Sequence, residues 1–233
     1  MLPFMIKKLL TYSYENQLAH IPSALSMADY LDIVFNYVKR DDFIIIGKPF
    51  GAQAYYLTWK NKAWLDTIDT LHMGVKHDEI DFVDYSEETI GNALGVAAGI
   101  ALTTNKKVYV NISDAALQMG TVLEAIQFIG KHQLNIMLTI DYNNMQVTGK
   151  CSDIIPVEPV YNFFRQNDWI DFETDGHDKE FIDNVIKKAY NCNCPTVIFC
   201  YTIKGYGVEE MQNNPKKWHY RKLNEKDLTS FLK

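Results

Sequence analysis

Hydrophobic and polar positions along the chain alternate between two periods. Leu31, Val34, Phe35 and Val38 recur at helical intervals behind Ser26-Met27-Ala28-Asp29, which has capping-box spacing, and predict a helix over about 26–39. The β-branched run at 43–46 predicts a short strand, and 51–73 reads as two helical pieces broken near Asn61. A polar stretch, 77–86, reads as a loop before a small-residue helix over about 88–103. The periods then alternate regularly. Strands are predicted over 108–112, 136–141, 169–172 and 196–201, and helices over 121–131, 157–167 and 179–190. Strands separated by helices of this length predict an α/β fold, a central parallel sheet flanked by helices. No repeat, low-complexity tract or Pro/Gly/Ser linker divides the chain, so 1–233 reads as a single domain.

Composition narrows the function classes. With 233 residues, at ~150 per domain, the chain can hold one large domain or two small ones. Hydrophobic residues at 47% and charged residues at 22% exclude whole-chain disorder. The net charge of −6 repels phosphate backbones, which argues against nucleic-acid binding. Cys151, Cys192, Cys194 and Cys200 lack disulfide-framework spacing, and Cys192-Asn193-Cys194 is one residue short of a C-x-x-C, so reduced structural thiols are expected. The longest uncharged run, 89–105, is interrupted by Gly91, Asn92, Gly95 and Gly99 and falls short of the ~20 apolar residues of a membrane span. The N-terminus places its lysines after an apolar start, the reverse of a signal peptide. A soluble, cytoplasmic protein without membrane contact is expected.

Ligands of open parallel sheets sit beyond the carboxyl ends of the strands. Gly205-Tyr206-Gly207 follows the last predicted strand, but Glu210 stands where a dinucleotide fingerprint needs its third glycine. Gly149-Lys150 is followed by Cys151 and preceded by no P-loop glycine, so NAD and ATP readings both weaken. Asp114 follows one predicted strand and Asp141-Tyr142-Asn143-Asn144 closes the next. A βαβ unit brings such strand ends together, and the Asp114 carboxylate and Asn143 amide are hard oxygen donors suited to Mg²⁺. The implied ligand is a Mg²⁺-bound phosphate compound.

At these residues the sequence resembles a family. Ile112-Ser113-Asp114-Ala115, Leu117-Gln118, Gly120, Glu124-Ala125 and Asp141-Tyr142-Asn143 resemble the thiamine-diphosphate motif G-D-G, some 26 residues, then N. His20-Ile21-Pro22-Ser23-Ala24-Leu25-Ser26, Thr89-Ile90-Gly91-Asn92-Ala93-Leu94-Gly95, Asp175-Gly176-His177, Thr202-Ile203-Lys204-Gly205-Tyr206-Gly207-Val208 and Trp218-His219 resemble further transketolase motifs in family order. The likeness is to the N-terminal, diphosphate-binding half of transketolase in its separate-subunit form. It implies that Asp114, Asn143 and the Met145 carbonyl bind Mg²⁺ or Ca²⁺, with Ser113 and Ala115 against the diphosphate of thiamine diphosphate. It implies also that Gly91 and Asn92 lie against the cofactor ring and that the catalytic candidates His20 and His219 border the substrate channel. The implied partner is a C-terminal transketolase-like subunit in an α2β2 heterotetramer, supplying the pyrimidine pocket and the activating glutamate. The implied reaction transfers a two-carbon ketol or acyl unit from a ketose or 2-oxo acid donor to an aldehyde or keto-sugar acceptor.

Several positions depart from the family pattern. Ser113 and Ala115 replace the motif glycines, Met119 takes a glutamate position while Glu124 is kept, and 74–88 is shortened, with His77 as a weak stand-in for a substrate histidine. Gly47-Lys48-Pro49-Phe50-Gly51 replaces S-x-G-H-A, so Phe50 stands where the family has a histidine; Lys48 reads first as a solvated surface lysine and second as a source of some of the missing charge. Asp114 has a second reading as a helix cap, and Gly91, Gly95 and Gly99 have one as helix-packing glycines. His72, His77 and His132 are read as surface histidines. Two alternatives to the transferase remain: a degenerate, non-catalytic partner subunit, and a decarboxylating carboligase of E1α or deoxysugar-synthase type.

Overall fold

The computed structural model describes residues 2–66 and 72–233. Its six strands are β1 (Phe43–Ile46), β2 (Tyr85–Ser86), β3 (Val108–Ser113), β4 (Ile136–Tyr142), β5 (Ile170–Asp175) and β6 (Thr196–Tyr201). All pairings are parallel, in the order β2-β1-β3-β4-β6-β5. The helices are α1 (Phe4–Glu15), α2 (Ile21–Val34), α3 (Ala52–Asn61), α4 (Ala93–Ala101), α5 (Gly120–His132), α6 (Cys151–Ile154), α7 (Pro159–Gln166), α8 (Lys179–Asn191), α9 (Glu209–Asn213) and α10 (Glu225–Phe231). A short 3-10 helix, Asp114–Gln118, follows β3.

The strand period divides the core between the two faces of the sheet. Ile44, Ile46, Tyr109, Met137 and Ile198 pack on one face beneath α1, α2, α3 and α8. Their neighbours Ile45, Val108, Val110, Leu138 and Phe199 pack on the other beneath α4, α5 and α7. Near-continuous apolar strands are what a sheet covered on both faces requires.

Most predicted elements are present with shifted ends. Helix α2 is displaced at both ends: it starts at Ile21 with Pro22 in its first turn, five residues before the predicted cap. Ser26 is buried inside the helix, so the capping-box reading is wrong. A helix buried almost all round has little amphipathic contrast, and its true start carries no polar signal. The small-residue helix starts at Ala93 rather than 88, because the Glu87 carboxylate accepts the N–H groups of Gly91, Asn92 and Ala93 at 3.1, 2.8 and 2.7 Å. The 51–73 stretch yields α3 as its first piece, and the second falls partly on 67–71, outside the described residues. Helices α1, α6, α9 and α10 and the two-residue β2 lack a predicted counterpart. Among the described residues no helix is long and apolar enough to cross a membrane. The four cysteines are free thiols.

Candidate functional site

Four adjacent strands deliver the site at their carboxyl ends. Lys48 lies just past β1, Asp114 just past β3, Asp141 within β4, and Thr202 and Lys204 just past β6. The register pairs Ser113 with Asp141 and Asp141 with Cys200, which sets these ends side by side.

Asp114 is fully buried. Its Oδ1 accepts the Ala115 N–H at 2.8 Å, and its Oδ2 accepts the N–H of Asn143 at 3.0 Å and that of Asn144. Asn144 has a φ of 56°, so successive N–H groups of this turn point inward as an anion-holding concavity. The side chain thus spans the β3–β4 crossover, and the reading of Asp114 as a simple helix cap does not hold. Asn143 Oδ1 accepts the Met145 N–H at 3.0 Å, and Asn143 Nδ2 donates to Asp141 at 3.0 Å. Asp141, also fully buried, further accepts Ser26 Oγ at 2.7 Å, Thr202 Oγ1 and the Lys48 ammonium. Lys204 Nζ donates to the Met145 carbonyl at 3.2 Å.

Lys48 is therefore no solvated lysine: it is 8% exposed and paired with Asp141. Burial and the Lys204 ammonium push its pKa well down, against the pull of Asp114. Burial lowers Lys204 as well, again opposed by Asp114. Burial raises the Asp114 carboxyl, while Lys48, the Asn144 and Ala115 N–H groups and Lys204 draw it back. Each ammonium is strained by burial and Lys48 also by its neighbour, and an anion between them would relieve both. Hard oxygens at Asp114, Asn143 and Met145 beside two buried ammonium groups fit a divalent cation carried on a diphosphate.

A cavity of about 480 Å³ opens beside these groups. His20, Ser113, Ala115, Asn143, Met145 and His219 all line it, together with Lys48, Phe50, Lys204 and Tyr220. Asp114 lies behind this lining. His20, at the N-terminus of α2, has a φ of 56° and is 3% exposed. Its backbone N–H donates to the His219 carbonyl at 3.1 Å, yet neither ring nitrogen has a partner. An unpartnered buried polar group costs about 1–3 kcal/mol, and such strain concentrates at functional positions. The ring stacks on Phe50 (centroids 4.9 Å apart) and meets His219 and Tyr220 edge-on at 4.6 and 5.1 Å. Burial first, then His219, Lys204 and Lys48, lowers the His20 pKa to about 3. Burial, Lys204 and Lys48 lower that of His219 to about 4. Both rings are neutral near pH 7.

Gly91 and Asn92 lie elsewhere. They line a separate depression on the α4–α5 face with Gly95, Gly99, Glu124 and Phe128, although their neighbours Thr89 and Ile90 line the main cavity. Gly91 is required by its φ of 123°. Gly95 and Gly99 have nothing within 4 Å of a would-be Cβ, so within this chain they are not helix-packing glycines.

Sequence patterns alone assign no role to Lys204, Asp141 or Thr202, and to Lys48 only a second reading as a source of charge. All four follow or lie near the end of a parallel strand, and that position is the available signal. His177 is a strut for this region: its Nε2 accepts the Ile203 N–H at 3.0 Å, its Nδ1 faces Asp29 at 3.1 Å, and its ring stacks on Tyr206 at 3.5 Å. It thereby fixes the loop that carries Thr202 and Lys204.

Residues 95–232 match the family profile described as transketolase, thiamine diphosphate binding domain. The chain is similar to transketolase-like protein 2 of Bos taurus, with 24% identity over 88% of this chain and 37% of that protein. It is also similar to a 6-deoxy-6-sulfo-D-fructose transketolase subunit of a Clostridium species, at 26% identity over 81% of this chain and 78% of the relative. An apulose-4-phosphate transketolase subunit of Phocaeicola vulgatus is 25% identical over 92% of this chain and 85% of its own length. The chain thus spans little over a third of the bovine protein and most of each bacterial subunit. In structure it is similar to a transketolase of Campylobacter jejuni, with a TM-score of 0.81 and 20% identity over 97% of this chain and 41% of the other.

Proposed function

The chain belongs to the family of the transketolase thiamine-diphosphate-binding domain, and from that premise we propose that it is the diphosphate-binding subunit of a transketolase-like transferase. The reaction proposed is transfer of a two-carbon unit from a ketose or 2-oxo acid donor to an aldehyde or keto-sugar acceptor. When bound, thiamine diphosphate supplies the carbon centre that takes up the electron pair of the broken C–C bond. In this reading the Asp114 carboxylate, the Asn143 amide oxygen and the Met145 carbonyl hold Mg²⁺ or Ca²⁺. Lys48 and Lys204 offset the remaining diphosphate charge, and Ser113 and Ala115 line the cavity against the diphosphate, each adding a side chain where the family motif has glycine. His20 and His219, neutral at their ring nitrogens, accept or donate a proton at substrate hydroxyls. The partner proposed is a C-terminal transketolase-like subunit in an α2β2 assembly. That both bacterial relatives are named as subunits supports a partner, and the free thiols fit a reducing, cytoplasmic setting.

The observation that carries the reading is the fully buried Asp114 carboxylate held by the half-buried Asn143–Met145 turn beside two buried ammonium groups. A subunit that only docks would not need to bury such mutually strained charges. Calorimetry of thiamine diphosphate and Mg²⁺ on the assembled complex tests it. Asp114→Ala should abolish binding, and Asn143→Ala should weaken it about 10- to 100-fold. Unchanged affinity in Asp114→Ala would favour the non-catalytic subunit.

A further inference from the structure

A polar network lies inside the otherwise apolar core on the sheet face covered by α2 and α3. Asn111 and Tyr109 on β3, Thr139 on β4, Tyr30 on α2 and Tyr55 on α3 are all fully buried. The Tyr30 hydroxyl donates to Asn111 Oδ1 at 3.0 Å, and Thr139 Oγ1 donates to the same oxygen at 2.9 Å. With the Thr139 proton so committed, the Tyr109 hydroxyl, 2.9 Å away, donates to Thr139. On its other side the Asn111 amide donates to the Tyr55 hydroxyl, which donates in turn to the Lys48 carbonyl at 3.2 Å. The donors run in one direction, from Tyr109 and Tyr30 through Asn111 and Tyr55 to Lys48, so each bond polarises the next.

Stability alone does not call for these groups, since apolar side chains of similar volume fill a core without desolvating a hydroxyl or an amide. What a fully satisfied buried network adds is one fixed arrangement of the elements that contribute to it. Here the arrangement ends on the loop Gly47-Lys48-Pro49. Asn111 holds that loop twice: its backbone carbonyl accepts the Gly47 N–H at 2.8 Å, and its side chain reaches the Lys48 carbonyl through Tyr55. Pro49 has no N–H of its own to add. Helix α2 acts at both ends of Lys48, through Tyr30 on Asn111 and through Ser26, one turn earlier, on the Asp141 carboxylate that pairs with the Lys48 ammonium.

We propose that Tyr55 is a positioning residue for diphosphate binding: with Asn111 behind it, its hydroxyl fixes the Lys48 backbone so that the ammonium is set at the diphosphate before the ligand arrives. The proposal rests on the transferase reading above, in which Lys48 offsets diphosphate charge. A lysine side chain has much rotamer freedom to lose when its ammonium is fixed, and a backbone already held in place restricts where that ammonium can reach. Tyr55 itself is fully buried and does not line the cavity, whereas Lys48 does. Its effect on the bound group therefore passes through Lys48.

The test is a double-mutant cycle on the complex of this chain with its C-terminal subunit, read as the calorimetric Kd of thiamine diphosphate at saturating Mg²⁺. Tyr55→Phe removes the hydroxyl and keeps the ring, and it should weaken binding about 10-fold, the size of effect seen when a group that orients a ligand-holding side chain is lost. Lys48→Met should weaken binding in its own right, and in that background Tyr55→Phe should change Kd by less than about 2-fold. A general loosening of the fold would instead weaken binding equally in both backgrounds. If Tyr55→Phe does not fold, Tyr30→Phe, which frees the opposite side of the Asn111 amide, takes its place in the cycle with the same coupling to Lys48 expected. An equal loss with and without Lys48, or no loss in the folded variant, overturns the positioning role while leaving the transferase intact. An unchanged Kd in Lys48→Met overturns it too, by removing Lys48 from the diphosphate site. No binding of thiamine diphosphate by the unsubstituted complex overturns the transferase reading itself and the positioning role with it.

Discussion

At His20 a left-handed backbone, burial and two unpartnered ring nitrogens fall on one residue, and their consequence is measurable without a substrate. The folded pKa is held at about 3 for His20 and about 4 for His219, against 6.5 for an unperturbed histidine. Between those values the unfolded chain binds protons that the folded chain refuses. Stability therefore rises with pH across that window and levels off above about pH 6.5, by at most ~1.4 kcal/mol per pH unit for each histidine. Urea midpoints should fall as pH drops from about 7 to about 5, and His20→Asn, which tolerates the left-handed φ, should remove roughly half of the two histidines' contribution to the slope. An unchanged slope would mean that the folded protein already carries a charged His20. Legibility in the sequence also divides at this scale. Asp114 and Asn143 were readable because both stand at ends of strands joined by one crossover. Lys48 was not, because its burial depends on Asp141 and Ser26, contributed by distant segments.

Elements were legible where apolar period and burial agree, as in α5, whose predicted and observed ends differ by a residue. They were not where packing surrounds a helix or a terminus docks on the core, as in α2 and α1. Glycines make the same division testable. A Cβ at Gly130 would lie 1.8 Å from the Asn167 carbonyl oxygen, backbone against backbone, where α5 meets the turn into β5. No rotamer relieves that contact. Gly130→Ala should cost about 2–4 kcal/mol by chemical denaturation. Gly95→Ala, on the open face of α4, should gain about 0.5–1 kcal/mol in the isolated chain by restricting the unfolded state.

At the scale of the whole molecule, exposed apolar side chains border both the main cavity and the α4–α5 depression. Met73, Val147 and Tyr220, at 44%, 49% and 63% exposure, rim the main cavity, where a partner subunit would close it. Leu102 and Phe128, at 52% and 42%, flank the α4–α5 depression, whose open glycines let a second backbone approach. In the proposed α2β2 assembly the first surface meets the partner and the second meets another copy of this chain. Parallel-sheet periodicity foretold the fold but was silent on these surfaces, because an exposed Leu102 has the same sequence signature as a buried one. The proposal predicts that this chain alone is inactive and self-associates, and that light scattering on the mixture with its partner gives the mass of two copies of each. Gly95→Trp fills the α4–α5 depression without touching the cavity, so it should reduce the complex to one copy of each while this chain still folds. A tetramer that survives Gly95→Trp would move the contact between copies to another face, and full turnover by this chain alone would remove the need for a partner.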